Sequence, residues 1–201
     1  EHLVSQNITP LMLGGEHSIT LGVIESLVNH HKNLILVQLD AHADLREEWL
    51  GSRYSHACVI KRCLDFLPSS NIFQIAIRSG TRQEFKELKE SKRLIPMTQG
   101  NPAETLKQVL KPYLQNPIYL TVDLDWFDPS VMPGTGTPEP GGYLWQDFVS
   151  IIQILKPYRL VGADIVELAP NLDLSNASSL LAAKATRTLL MLLSLSEGKS
   201  T

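Results

Sequence analysis

The 201-residue sequence has only two cysteines, Cys58 and Cys63, too few for a disulfide-stapled secreted scaffold. They stand five apart in a stretch that reads as one helix, so their side chains do not face each other as i,i+4 neighbours would. A reduced, cytoplasmic compartment is expected. Charge of one sign is also scarce: 18 Lys and Arg against 21 Asp and Glu leave a net charge of -3, and the basic residues are scattered. Such a chain has no basic field to hold a polyanion, so nucleic acid is not an expected partner. The opening EHLVSQNITP is neither apolar nor basic enough for a signal peptide, and the most apolar stretch, LLAAKATRTLLMLLSL, is interrupted by Lys184 and Arg187. A soluble protein outside the membrane is expected. Internal repeats, low-complexity tracts and linkers are missing too, and a 43% hydrophobic content suits one domain over residues 1–201.

What is present is an alternation of strand-length apolar runs with longer stretches of helical periodicity. Strands are expected at Pro10–Leu13, Asn33–Leu39, Asn71–Ile77, Ile118–Leu124 and Leu160–Val166, with a weaker one at Leu94–Met97. Helices are expected at Ile19–Asn29, His56–Leu67, Gln83–Lys89, Ala103–Leu114, Leu144–Leu155 and Ser178–Leu195. The strands carry Val, Ile and Leu on both faces, as parallel strands covered by helices do. The fold class is therefore α/β, a three-layer α/β/α arrangement with a mainly parallel central sheet, and the chain enters its first strand without a leading element.

Polar residues gather where these strands end. Gly14-Gly15-Glu16-His17 follows the first, Asp40-Ala41-His42-Ala43-Asp44 the second, Asp123-Leu124-Asp125 ends the fourth and Glu167 the fifth. Ligands of open α/β sheets bind outside the carboxyl ends of the strands, so four motifs converge on one edge. Alternate residues of an extended chain point the same way, which lets Asp40, His42 and Asp44 present two carboxylates and an imidazole together, and Asp123 and Asp125 repeat the pattern. Taken singly, each could be a cap or turn residue. Four gathered carboxylates, however, repel by about 1 kcal/mol per pair at about 4 Å even in water, so something cationic is needed among them. Two divalent ions match the four charges of Asp40, Asp44, Asp123 and Asp125, with His17 and His42 giving one neutral nitrogen to each. Hard oxygen donors with one imidazole per ion suit Mn²⁺, two per chain, better than Zn²⁺, and Co²⁺, Ni²⁺ or Fe²⁺ remain compatible. A calcium loop is the other reading of Asp-x-x-x-Asp, but the two histidines and the ligand spacing disfavour it.

These residues resemble the ureohydrolase family of arginase, agmatinase, formimidoylglutamase and guanidinobutyrase. The matching pieces are GGEHS (14–18), DAHAD (40–44), SHAC (55–58), TVDLDWFDPS (121–130), PGTGTPEPGG (133–142) and GADIVELAP (162–170), spread over nearly the whole chain. The match looks closest to agmatinases, because of DLREEWLGSRYSHACV and of Glu139, where arginases usually have a small apolar residue. The resemblance implies an arginase-like fold and places His17, Asp40, Asp44 and Asp123 on one manganese and His42 and Asp125 on the other, with Asp40 and Asp123 bridging. It makes His56 a proton shuttle, although Ala57 follows it where the common pattern has glycine. It also implies a substrate-orienting Glu167, with Thr137 and Glu139 at the substrate.

A guanidinium carbon is a poor electrophile, and two ions sharing a water can lower its pKa toward neutrality. Asp44 would pass a proton to the departing amine, and Glu167 would accept two hydrogen bonds from the guanidinium. The expected activity is amidinohydrolysis of a small guanidino substrate, agmatine first, giving urea and putrescine. Guanidinobutyrate, arginine and guanidine present the same reacting group. An inactive or regulatory homologue is a further alternative, and a single-zinc deacetylase of related fold lacks these paired aspartates. A homo-oligomer is implied as well. Family members ordinarily carry a segment before the first metal motif, so a fragment or a shortened homologue is expected. The Gly134–Gly142 stretch lacks the Lys-Ser or Lys-Thr of a phosphate loop. His2, His30 and His31 are expected at the surface, Trp126 and Trp145 beneath the site loops, Arg78-Ser79-Gly80 at the pocket, and Glu47 and Glu48 solvated.

Overall fold

The computed structural model describes residues 2–95 and 102–197. Six strands, β1 (Leu11–Leu13), β2 (Ile35–Leu39), β3 (Ile72–Ile75), β4 (Leu94–Ile95), β5 (Pro117–Asp123) and β6 (Arg159–Val166), form one parallel sheet in the order β1-β6-β5-β2-β3-β4. Helices α1 (His2–Ser5), α2 (Ile19–Val28), α3 (Val59–Cys63), α4 (Arg82–Ser91), α5 (Pro102–Leu110), α6 (Trp145–Leu155) and α7 (Ala177–Glu197) complete it.

Every residue of β2, β3 and β5 is buried, as the unbroken apolar runs require. Alternate side chains then serve two different cores. Ile35, Val37 and Leu39 of β2 pack with Ile118, Leu120 and Val122 of β5 against α5, α6 and α7, through Leu106, Phe148 and Leu189. Leu36 and Tyr119 face the other way, against Ile24 of α2, Ile60 of α3 and Leu88 of α4. Burying each such aliphatic or aromatic side chain is worth about 1.5–3 kcal/mol, so the three layers are held from both sides of the sheet. Helix α7 is apolar enough by length and composition to cross a membrane, yet its Ala185 and Leu189 lie in the core beside β6.

The chain path positions the site. From β2 it runs outward to β3 and β4, then returns to β5 on the opposite flank of β2 and continues to β6. At the carboxyl ends of β2 and β5 the connections thus leave in opposite directions, the switch point at which such sheets open a crevice.

The expected elements are present with adjusted limits. A short helix, α1, does precede β1, where no leading element was expected. The run Asn71–Ile77 is a strand only over Ile72–Ile75, because Ala76 takes a left-handed φ of 75° that no extended ladder accommodates. Similarly, Asn33 at φ 57° delays β2 until Ile35. The expected helix His56–Leu67 is a 3-10 turn, His56–Cys58, capped by Ser55, followed by the short α3. Cys58 and Cys63 therefore lie in different elements, both free and buried. Likewise, the Ala103–Leu114 helix is α5 followed by a 3-10 turn at Lys111–Tyr113. Met97, the expected end of β4, lies outside the described residues.

Candidate metal centre and substrate cavity

The comb of alternating ligands is not an extended strand, as the spacing suggested. Strand β2 ends at Leu39, and Asp44 adopts a left-handed φ of 54°. Asp123 closes β5, whereas Asp125 sits on a 3-10 turn, Leu124–Trp126, which Asp123 caps by accepting the Asp125 N–H on Oδ1 at 2.9 Å. Side-chain-to-backbone bonds of this kind commonly close a strand end.

These turns bring all six expected ligands together. His17 Nδ1 lies 3.1 Å from Asp40 Oδ2, 3.1 Å from Asp44 Oδ2 and 3.2 Å from Asp123 Oδ2. His42 Nδ1 lies 2.9 Å from Asp125 Oδ2 and 3.7 Å from Asp40 Oδ1. Asp40 thus gives one oxygen to each cluster, and its lateral position is held by Gln38, whose Nε2 donates to Oδ2 at 2.6 Å. Gln74, opposite Gln38 on β3, donates to Gln38 Oε1 at 2.6 Å and to the Ala43 carbonyl at 2.9 Å, fixing the loop from behind. Neither glutamine was singled out from the sequence, since a polar residue within an apolar strand shows its partner only once register is known.

Electrostatics expose the site's need for cations. Burial and the Asp40 charge push Asp44 up to about 7. Burial, then the charges of Asp125 and Asp40, raises Asp123, and burial with Asp40 raises Asp125. Burial opposes charge on His42, but Asp125 and Asp40 hold it up at about 11; His17 is raised in the same way by Asp123, Asp40 and Asp44. Without another cation, the cluster must take up protons to be tolerated. The buried Nδ1 of His17 makes no hydrogen bond among the described residues although three carboxylate oxygens surround it. Donors that converge on a point without bonding one another fit a divalent ion, and the groups His17–Asp40–Asp44 and Asp40–His42–Asp125 each offer three ligand atoms within 4.8 Å of one another.

Above the clusters is a cavity of about 480 Å³ lined by His17, Asp44, Asp123, His56, Thr137 and Glu167 among others. Glu167 sits at φ 67°; its N–H donates to the Gly15 carbonyl and its Oε1 accepts from the His17 N–H at 2.8 Å. Burial raises its pKa, with the His17 N–H opposing. His56 is half-exposed at the mouth, its Nδ1 3.6 Å from Glu16 Oε2. Thr137 Oγ1 is 3.5 Å from Asp125 Oδ2. Glu139 is not among the lining residues: its Oε1 accepts from Ser79 Oγ at 2.8 Å on the far side of His42.

Ser79 and Gly80 line the cavity, but Arg78 does not. Its half-buried guanidinium instead donates to the carbonyls of Asp125 (2.7 Å) and Glu139 (2.8 Å), clamping the Gly134–Gly142 loop to the Asp125 turn. Glu47 and Glu48 are both exposed, as expected, and Glu47 also pairs with Lys61 at 3.2 Å and Arg62 at 2.9 Å. Trp126 is buried next to Asp125 and packs edge-on against Phe127, and Trp145 packs on Phe148. His2 and His30 are exposed and His31 is half-buried.

Comparison with known proteins identifies the family. The arginase family's profile matches residues 1–192. An agmatinase of Halalkalibacterium halodurans is 33% identical over 193 residues, covering 95% of this chain and 66% of that protein. The N(1)-aminopropylagmatine ureohydrolase of Thermococcus kodakarensis is 39% identical over 177 residues, covering 87% and 58%. Among solved structures, the agmatine ureohydrolase of Thermoplasma volcanium superposes with a TM-score of 0.82 at 32% identity, covering 100% of this chain and 67% of that one. The chain spans a little under two thirds of the length of the first curated relatives it matches. With the profile matched over almost all of its residues, the chain belongs to the arginase family.

Proposed function

We propose that this protein is a dinuclear ureohydrolase that hydrolyses a small guanidino compound, with agmatine, giving urea and putrescine, as the first candidate. One observation carries the reading. Asp40 turns Oδ2 to His17 and Oδ1 to His42, so one buried carboxylate joins two donor clusters on the floor of a cavity that Glu167 also lines. His17, Asp40, Asp44 and Asp123 would hold one ion, and Asp40, His42 and Asp125 the second; manganese suits this oxygen-rich set. Ions held by these residues would supply Lewis acidity, lowering the pKa of water toward neutrality.

The side chains do the rest. Glu167 lines the cavity, its Oε2 accepts no backbone hydrogen bond among the described residues, and its charge orients a guanidinium. Asp44, at the cavity wall, accepts a proton and returns it to the departing amine. His56 exchanges that proton with solvent at the mouth. A second reading, a guanidino acid in place of a guanidino amine, is favoured by Arg46. It lines the cavity, stacks 4.1 Å over Trp49 and has no ion-pair partner among the described residues, so it would welcome an anionic tail.

Urea release from agmatine, 4-guanidinobutyrate, arginine and guanidine by the manganese-loaded protein decides between them. No urea from any of these, from folded protein that binds manganese, would leave an inactive homologue and refute the proposal. Homo-oligomer formation belongs to the same reading and is supported by the exposed Leu180, Leu190 and Met191 of α7. Light scattering that returns the monomer mass of 22.4 kDa would remove it.

A further inference from the structure

Beneath His17, on the side away from the cavity, lies a chain of hydroxyls that ends on a carboxylate the proposed chemistry does not use. His17 Nε2 is 2.8 Å from Thr121 Oγ1, which donates to Asp164 Oδ1 at 2.6 Å. Thr121 and Asp164 are register partners on β5 and β6, and both are fully buried. The other oxygen of Asp164 accepts from Tyr119 Oη at 2.7 Å and Thr20 Oγ1 at 2.8 Å.

The direction of these bonds is forced. A carboxylate can only accept, and a threonine hydroxyl has a single proton, so once that proton goes to Asp164 the Thr121 oxygen can only accept from His17. The neutral ring must therefore carry its proton on Nε2 and its lone pair on Nδ1. Nδ1 is the nitrogen that lies 3.1–3.2 Å from the oxygens of Asp40, Asp44 and Asp123. Histidine ligands generally take their tautomer and orientation from the partner of the other nitrogen. Here that partner is a relay rather than a direct carboxylate. Tyr119 and Thr20 fix Asp164 in turn, so the carboxylate cannot rotate away from Thr121.

We infer that Asp164 is a positioning residue which, through Thr121, fixes His17 with Nδ1 turned to the donor cluster. This rests on reading His17 as a metal ligand. It also gives the GADIVE segment two separate tasks, since Asp164 acts below His17 and Glu167 beside it.

Two substitutions separate the relay from simple packing. Thr121→Val keeps the shape and loses the hydroxyl, whereas Thr121→Ser keeps the hydroxyl and loses a methyl group. Mn²⁺ affinity is read in the full chain from the electron paramagnetic resonance of free ion, and thermal unfolding of the metal-free protein is measured beside it. Removal of such an outer partner typically weakens metal binding by about 10–100-fold, the loss expected for Thr121→Val, with Thr121→Ser close to the parent. Ring ¹⁵N signals of the diamagnetic zinc-loaded protein should show Nε2 protonated and Nδ1 metal-bound in the parent, and this pattern lost in the valine variant. Equal affinity and unchanged ring signals in folded Thr121→Val would overturn the relay. A serine variant as impaired as valine would assign Thr121 to packing and overturn it as well. A parent protein that binds no Mn²⁺ would refute the ligand reading together with the relay, whereas a parent and a valine variant that bind equally well would refute the relay alone.

Discussion

Glu167 and His17, 150 residues apart, are joined by a 2.8 Å hydrogen bond in which the His17 backbone N–H donates to Glu167 Oε1. The side chain proposed to hold substrate is thus tied to the segment proposed to hold metal. In Glu167→Gln the amide oxygen would keep the His17 bond and the amide N–H₂ would turn to the cavity, repelling a guanidinium. Loss of a charged hydrogen bond of about 1.5–3 kcal/mol corresponds to a tenfold to hundredfold fall in kcat/KM, with both metals retained. Steady-state kinetics beside elemental analysis checks this. A metal lost in Glu167→Gln, or full efficiency kept, would contradict the assignment.

Metal removal should leave a protein whose stability falls as pH rises. Asp44, raised from 3.8 to about 7, binds its proton more tightly folded than unfolded, so its contribution is lost between about pH 4 and 7. His42, raised from 6.5 to about 11, contributes stability that is present below 6.5 and lost toward 11. Both slopes have the same sign across neutrality. Divalent ions replace those protons, so the rise in Tm on adding Mn²⁺ should grow from pH 5.5 to 8. A metal-dependent gain in Tm that shrinks with pH over that range would show that the clusters do not titrate as described.

Two ions per chain are expected after manganese loading, and Asp125→Ala should lower the count toward one. Asp125 pairs with His42, at 2.9 Å from its Nδ1, and among the described residues makes no ion pair with His17, so its loss should spare the His17 cluster. Elemental analysis of folded protein reads the result. One firmly bound ion in the parent would end the dinuclear interpretation.

Most of the fold was legible because buried parallel strands leave continuous apolar runs, and β2, β5 and β6 stand where those runs are. Their ends were harder to read. Ala76, Asp44 and Glu167 all take left-handed φ values that nothing in their residue type announces. The six proposed ligands stand out by type and motif, and the structure gathers them, but not by regular strand spacing: turns, not pleats, bring Asp44 and Asp125 to the site. Arg78 and Glu139 were drawn to the cavity by their place at a strand end and in a motif. The structure uses Arg78 to clamp a loop and sets Glu139 against Ser79. Interactions such as Gln38 with Gln74, or Asp164 with Thr121, join positions whose proximity depends on strand order, which local pattern does not contain.

His56 should affect turnover without affecting metal content. It lines the cavity mouth, half-exposed, and belongs to neither three-donor cluster around Asp40. His56→Asn is expected to lower kcat by about 10²-fold or more, the scale of a single positioned acid or base, while two ions remain bound. Turnover equal to the parent across pH 6–9 would rule out the shuttle role.

Glu84 is the least expected participant, a buried carboxylate in the first turn of α4 that lines the cavity and was not singled out from sequence. Its Oε2 accepts from the Thr81 N–H at 2.7 Å, completing a capping box, and its Oε1 accepts from the Leu45 N–H at 2.9 Å. Leu45 immediately follows Asp44, whose left-handed backbone is sterically unfavourable for a non-glycine residue and needs support from its surroundings. Glu84→Ala would leave the Leu45 N–H unpaired in the core and remove half the cap, at a cost of about 1–3 kcal/mol in unfolding free energy. Because Asp44 would lose that anchor, Mn²⁺ affinity should fall as well, whereas an ordinary helix cap would lower stability alone. Glu84→Gln, which retains one acceptor oxygen, should fall between the parent and Glu84→Ala on both scales. Urea unfolding with a parallel Mn²⁺ titration separates the outcomes: if Glu84→Ala is destabilised but binds manganese as tightly as the parent, Glu84 caps α4 and does not position Asp44.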